Sequence, residues 1–85
     1  MPEADLLDAL VVALDAIGVD GASERLRLEP AVTFADLGID SLGTIEVVTR
    51  FEEVCGLSIP EPDIDLFEGP ADVVAHAVRL LSKVA

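Results

Sequence analysis

The spacing of apolar residues in three stretches is the feature that most constrains how this chain can fold. In each stretch apolar side chains recur every three or four positions, and the stretches run from about Ala4 to Ile17, from Ser41 to Cys55 and from Pro70 to Val84. That period lines up apolar side chains along one face of an α-helix. The pattern therefore predicts three amphipathic helices and an all-α fold.

Each predicted helix has an inner face and a water-facing side. The three inner faces comprise Leu6, Leu10, Ala13, Leu14 and Ile17, then Leu42, Ile45, Val48, Phe51 and Cys55, then Val73, Val74, Ala77, Leu80 and Leu81. The outer face of the last helix comprises Asp72, His76, Arg79 and Lys83. Burying three such faces against one another predicts a helical bundle.

The connections between these helices differ in length and in proline content. Residues 20–40 form a long connection, which we expect to be pinned by isolated apolar side chains or to contain a short turn of helix. Pro60 and Pro62 favour an extended backbone, after which Asp63 caps a very short helix from Ile64 to Phe67. The prediction is a small four-helix bundle with a long first loop and a short third helix.

Size and composition limit the chain further. With 85 residues it is expected to form a single domain over 1–85, too small for an enzyme with its own deep cleft. Aromatic residues make up only 4%, so the core must be built from small branched side chains. Met1 and the short tail after Leu81 favour a free-standing protein.

The chain is strongly acidic, with 17 acidic residues, 5 basic residues and a net charge of −12. This charge repels nucleic acid and anionic membranes and favours partners with Lys or Arg patches. Cys55 is the only cysteine, and the first residues lack the basic and apolar regions of a signal peptide. A cytoplasmic location is expected.

Asp40 and Ser41 form the most informative local pattern. The Asp40 carboxylate can accept a hydrogen bond from the free N–H of Leu42 or Gly43, which makes it the N-cap and puts Ser41 at the first helical position. A phosphate on Ser41 would then lie at the positive end of the helix dipole. Self-activated nucleophilic catalysis is disfavoured, because His76 is the only histidine and a nucleophile elbow would need glycine in place of Ile39.

The longer motif resembles the acyl carrier protein family. It consists of Phe34-x-x-Leu37-Gly38-x-Asp40-Ser41-Leu42, followed by Glu46 and then by Gly56-Leu57-x-Ile59-Pro60. The resemblance implies that Ser41, flanked by Asp40 and Leu42, carries a 4′-phosphopantetheine arm donated by coenzyme A. It also implies a non-catalytic protein, whose arm holds growing acyl chains as thioesters.

The helix that begins at Ser41 corresponds to the family's recognition helix. The resemblance assigns partner docking to Glu46, Arg50, Glu52 and Glu53. The implied partners are a phosphopantetheinyl transferase and a ketosynthase, acyltransferase and tailoring enzymes with basic patches. Glu46 and Arg50 also have the order that favours an ion pair along a helix. A monomer is expected.

Two residues differ from the family's fatty-acid members and indicate the pathway. Those members usually have an acidic residue where this chain has Gly43, and an uncharged residue where it has Arg50. The stretch from Ser41 to Glu52 looks more like free-standing carriers of bacterial type II polyketide synthases, and so of antibiotic biosynthesis. Ile39 and Thr44 depart from that pattern. Fatty-acid and peptidyl carriers remain alternatives, as does an acidic interaction module with an unmodified or phosphorylated serine.

Three other chemistry-bearing features have simpler interpretations. His76 is expected to be an exposed helix residue, and Cys55 a small core residue. Asp63-x-Asp65 lacks the glycine and the later glutamate of a calcium loop. No metal site is predicted.

Overall fold

The computed structural model describes residues 3–19 and 21–84, and every regular element in them is helical. The helices are α1 (Glu3–Ala16), α2 (Ala22–Leu28), α3 (Ser41–Cys55), α4 (Glu61–Ile64) and α5 (Pro70–Val84). The all-α prediction and the three long helices are confirmed, but the count is wrong: the described residues contain five helices instead of four. None of these helices is both long enough and apolar enough to span a membrane.

The additional helix is α2, which lies within the long connection, where a short turn of helix was one of the two expectations. Leu26 is buried and anchors α2, whereas Leu28, one of the isolated apolar side chains expected to pin the connection, is 87% exposed, so that expectation is wrong for Leu28. Residues two positions apart point to nearly opposite sides of a helix, and burying Leu26 therefore exposes Leu28. A helix of seven residues is marginal alone, and its packing against α1 stabilises it.

Helix α4 begins three residues earlier than predicted, at Glu61 instead of Ile64. Pro60 precedes it with extended backbone angles, and Pro62 lies in its first turn, where no backbone N–H is needed. Asp63 is inside the helix and is not its cap. Two further turns follow, in which Leu66 N–H donates to the Asp63 carbonyl and Phe67 N–H to that of Ile64.

The core lies around α1, which packs against α2, α3 and α5. The inner face of α5 is confirmed, with Val73, Val74 and Ala77 buried and Leu80 and Leu81 partly buried. On α3 the predicted face is rotated: the buried residues are Thr44, Val47, Val48 and Phe51. Leu42 is 69% exposed, contrary to prediction. The rotation was missed because the buried positions 44, 47, 48 and 51 follow helical spacing but begin with Thr44, a polar residue that was not counted as part of the inner face.

A backbone hydrogen bond joins the second half of the long connection to the residues just before α5. The Phe34 N–H donates to the Glu68 carbonyl at 2.9 Å. Gly69 permits this approach, because a Cβ there would collide with the Val32 carbonyl oxygen and lie 3.1 Å from Thr33 Cα. The backbone that leads to Ser41 is thus held by the far end of the chain.

Candidate functional site at the start of α3

A pinned loop delivers Ser41 to the start of α3. Phe34 and Ile39 are buried, and the Ile39 N–H donates to the Phe34 carbonyl at 2.9 Å. Gly38 between them has φ of 76°, a left-handed conformation that glycine adopts without strain. The direction from which the chain enters α3 is therefore set by side chains on both sides of one turn.

Asp40 is the N-cap of α3, as the sequence predicts. Its Oδ1 accepts the Gly43 N–H at 2.8 Å, and its carbonyl oxygen accepts the Thr44 N–H at 2.9 Å. The Thr44 hydroxyl donates to the same carbonyl at 3.0 Å. These bonds leave Ser41 at the first helical position with a side chain that the cap does not use.

Gly43 has a packing role that the sequence did not reveal. A Cβ at this position would lie 2.8 Å from Ile39 Cγ2 and 3.3 Å from Asp40 Oδ1. Any side chain here would press on both the loop anchor and the cap. Residues 39 and 43 are four positions apart, and this spacing could have predicted the contact between them.

The Ser41 side chain is exposed and borders a small cleft of about 100 Å³. The cleft lies between α3 and the segment around α4, and its lining also includes Thr44, Ile45, Ile64, Asp65 and Phe67. No described residue forms a hydrogen bond with the Ser41 hydroxyl. An unassisted serine is a weak nucleophile, and the described residues expose this hydroxyl without activating it.

The predicted docking residues fall into two groups. Glu46, Arg50 and Glu53 are exposed and, with Ile45 and Thr49, line an open groove of about 390 Å³ along α3. Glu52 is half-buried, and its Oε2 accepts the Ile59 N–H at 3.0 Å, which ties the loop after α3 to the helix. The expected Glu46–Arg50 ion pair is absent from the ion pairs formed by residues 3–19 and 21–84.

The remaining chemistry-bearing residues lie away from Ser41. Cys55, expected in the core, is half-buried and packs against the core, and burial raises the pKa of its thiol above the ordinary value. The prediction of an exposed His76 is wrong: its side chain is only 17% exposed and contacts Asp63. Within the described part of the chain, no three His, Cys, Asp or Glu side chains are grouped as metal ligands.

Comparison with known proteins identifies the family. The family model described as phosphopantetheine attachment site matches residues 12–77, which include the whole start of α3. The chain is 35% identical over 69 residues to an acyl carrier protein of Akkermansia muciniphila, covering 81% of this chain and 82% of the relative. The chain belongs to the acyl carrier protein family.

Two other acyl carrier proteins support this assignment. Those of Sinorhizobium fredii and Rhizobium meliloti are each 40% identical over 72 residues, covering 85% of this chain and 83% of the relative. No solved structure matches the chain significantly. Acyl carrier proteins are non-catalytic, bear a covalently attached 4′-phosphopantetheine and work with synthase and transferase enzymes.

The start of α3 fits that prosthetic group. A phosphoester needs an accessible hydroxyl, and Ser41 is exposed and makes no hydrogen bond to another described residue. The phosphate would lie near the free N–H groups of the first turn, of which Asp40 occupies only that of Gly43. When bound, the group supplies a thiol that holds acyl groups as thioesters.

Proposed function

We propose that Ser41 is the attachment point of 4′-phosphopantetheine and that this carrier tethers growing acyl or polyketide chains on it. The observation that carries the proposal is the exposed, uncommitted Ser41 hydroxyl at a capped helix start within the family-matched residues. Asp40 orients the first turn, and Leu42, which is exposed, offers an apolar contact beside the reacting hydroxyl. Both roles explain why a modifying enzyme would select this serine.

Partner docking is assigned to the groove along α3. Glu46, Arg50 and Glu53 line it, and a protein of net charge −12 attracts enzymes that present basic patches. Glu52 contributes its charge while it holds Ile59. We assign to this surface the phosphopantetheinyl transferase and the ketosynthase, acyltransferase and tailoring enzymes, which bind a cytoplasmic monomer one after another.

Polyketide synthesis is the pathway that we propose, with fatty-acid synthesis as the other outcome of the test. Two features support it. Gly43 packs against Ile39 and leaves no room for the acidic residue usual in fatty-acid members. Arg50 places a cation inside an otherwise acidic groove, and this would select partners with a matching carboxylate.

Intact mass spectrometry tests the attachment site. The apo protein is incubated with coenzyme A and a broad-specificity phosphopantetheinyl transferase, beside Ser41→Ala and Ser58→Ala, the latter removing another exposed serine. The wild type and Ser58→Ala should each gain one phosphopantetheine, and Ser41→Ala none. A wild type without an adduct, or an adduct on Ser41→Ala, would overturn the proposal.

Chain elongation tests the pathway. The loaded carrier is offered separately to the ketosynthase of a type II polyketide synthase and to that of a fatty-acid synthase, with Arg50→Ala as the matched variant. Polyketide elongation should be the faster reaction, and Arg50→Ala should slow it more than the fatty-acid reaction. Faster elongation by the fatty-acid enzyme would assign the carrier to that pathway.

A further inference from the structure

His76 occupies a cleft between α4 and α5 that the proposed function does not use. The cleft has a volume of about 270 Å³, and its lining includes Asp63, Leu66 and Phe67 from one side and Asp72 and Arg79 from the other. The Phe67 ring packs against the His76 imidazole with a centroid distance of 5.4 Å and an angle of 64° between planes. An interior position of this kind restricts the hydrogen-bond partners of the ring.

The partners of His76 determine which nitrogen carries the proton. Arg79 Nη2 lies 3.3 Å from His76 Nδ1, and because a guanidinium can only donate, Nδ1 of the neutral ring is the acceptor. Its proton is therefore on Nε2. That atom is buried without a hydrogen bond of good geometry, and Asp63 Oδ2 lies 3.3 Å from it.

Asp63 is the carboxylate available to complete this contact. Asp72, the other acid in the cleft, already accepts the N–H groups of Glu68 and Gly69 at 2.8 and 3.2 Å. A buried donor without a partner costs free energy, so a small movement of α4 toward α5 that closes the contact is favourable. Arg79, His76 and Asp63 thus form a chain of contacts that draws α4 onto α5, which we call the α4 clasp.

Helix α4 depends on such contacts because it is too short to be stable alone. It has four residues, of which only Ile64 is buried. The same segment supplies one wall of the cleft beside Ser41, through Ile64, Asp65 and Phe67. Phe67 lines both clefts, so its position links the clasp on one side to the Ser41 cleft on the other.

We propose that His76 is a positioning residue which, through Asp63 and Phe67, sets the wall of the cleft beside Ser41. The functional meaning of this proposal rests on Ser41 being the attachment site. The charged groups that face the ring are Asp63 from α4 and Asp72 and Arg79 from α5. The ring contacts Arg79 through Nδ1 and Asp63 through Nε2, so a change in its charge alters the contact that crosses to α4.

Hydrogen exchange of the apo protein, followed by NMR, tests the clasp. His76→Ala and Asp63→Ala should each raise amide exchange at residues 61–67 by about two- to tenfold, the effect of one lost hydrogen bond. The double variant should add nothing further. His76→Gln, which keeps a donor, should restore slow exchange, and Asp65→Ala, a change in the same segment that leaves the clasp intact, should have no effect.

A pH titration supplies a readout that simple packing would not produce. In the wild type, the amide shifts of Asp63 and Phe67 should move with the same midpoint as the His76 ring, and Ser41 and Ile45 should follow. Asp63→Ala should abolish the coupled movement. Unchanged exchange at residues 61–67, an equal rise in all helices, or amides that ignore the His76 titration would overturn the proposal.

The clasp and the attachment site can fail separately. These measurements need no prosthetic group, so they decide the clasp even if Ser41 takes no phosphopantetheine. If the wild type is modified, His76→Ala should raise the KM of the transferase for the apo carrier and leave kcat unchanged, because Ser41 and its cap Asp40 belong to the start of α3 and not to the clasp. A fall in kcat with unchanged KM would contradict a role confined to the cleft wall.

Discussion

The start of α3 and the segment around α4 border the same cleft, yet they are held in different ways. At the start of α3, the Asp40–Gly43, Asp40–Thr44 and Phe34–Ile39 bonds all join residues within five positions of one another. Around α4, a polar contact between side chains crosses to α5 and joins Asp63 to His76, and Phe67 packs on the same imidazole ring. The first turn of α3 is organised by neighbouring residues, although Glu68 holds the loop before it. The segment around α4 depends on a side chain from a different part of the chain.

The largest expected contrast comes from truncating one core side chain in each region. Phe51→Ala removes a fully buried ring on α3 and should lower the free energy of unfolding by about 3–5 kcal/mol. Ile64→Ala should cost about 2 kcal/mol, the lower end of the range for its type, because four-residue α4 can yield. Urea denaturation measures both. An equal loss would mean that α4 is as rigid as α3.

Gly69→Ala tests the joint that holds the loop before α3. The added Cβ would meet the backbone of Val32 and Thr33, which cannot turn aside as a side chain can. We expect a loss of about 1–3 kcal/mol in the free energy of unfolding. The control variant is Ala71→Gly, on the exposed side of α5. Gly18→Ala cannot serve as the control, because Gly18 has a positive φ that alanine would adopt only with strain. A neutral Gly69→Ala would contradict the close approach.

Asp40→Ala tests the local organisation of α3. Loss of the bond to Gly43 N–H should cost about 0.5–2 kcal/mol, and Asp40→Asn, which keeps an acceptor oxygen, should cost less. The first turn should also become less ordered, which slows modification of Ser41. Thermal unfolding and the transferase rate measure the two effects. Full stability in Asp40→Ala would show that distant contacts hold this wall too.

Gly43→Ala should change the free energy of unfolding least, and whether the change is a gain or a loss is informative. Replacing glycine by alanine inside a helix ordinarily stabilises it by roughly 0.5–1 kcal/mol. Here the new methyl group would press on Ile39, so we expect a small loss of stability. In an Ile39→Ala background the same change should become stabilising. Equal effects in both backgrounds, measured by urea denaturation, would rule out the coupling of residues 39 and 43.

The sequence-based predictions were also more accurate for α3 than for the segment around α4. The cap at Asp40 and the bounds of α3 and α5 depend on neighbouring residues, and they were predicted. The bounds of α4 were wrong, because Pro62 was interpreted as a helix breaker and lies in the first turn. The burial of His76 was missed, because no local pattern shows that α4 will cover it.

The sequence by itself determined the helical class, the acidic charge and a serine presented at a capped helix start, since each depends on composition or on spacing of a few residues. Tertiary structure alone decided that Leu26 anchors α2, that α3 buries Thr44 and exposes Leu42, and that His76 faces Asp63. The physical reason is that burial depends on which surfaces meet. That choice is made by the packing of the whole chain, where side chains far apart in sequence compete for the same core.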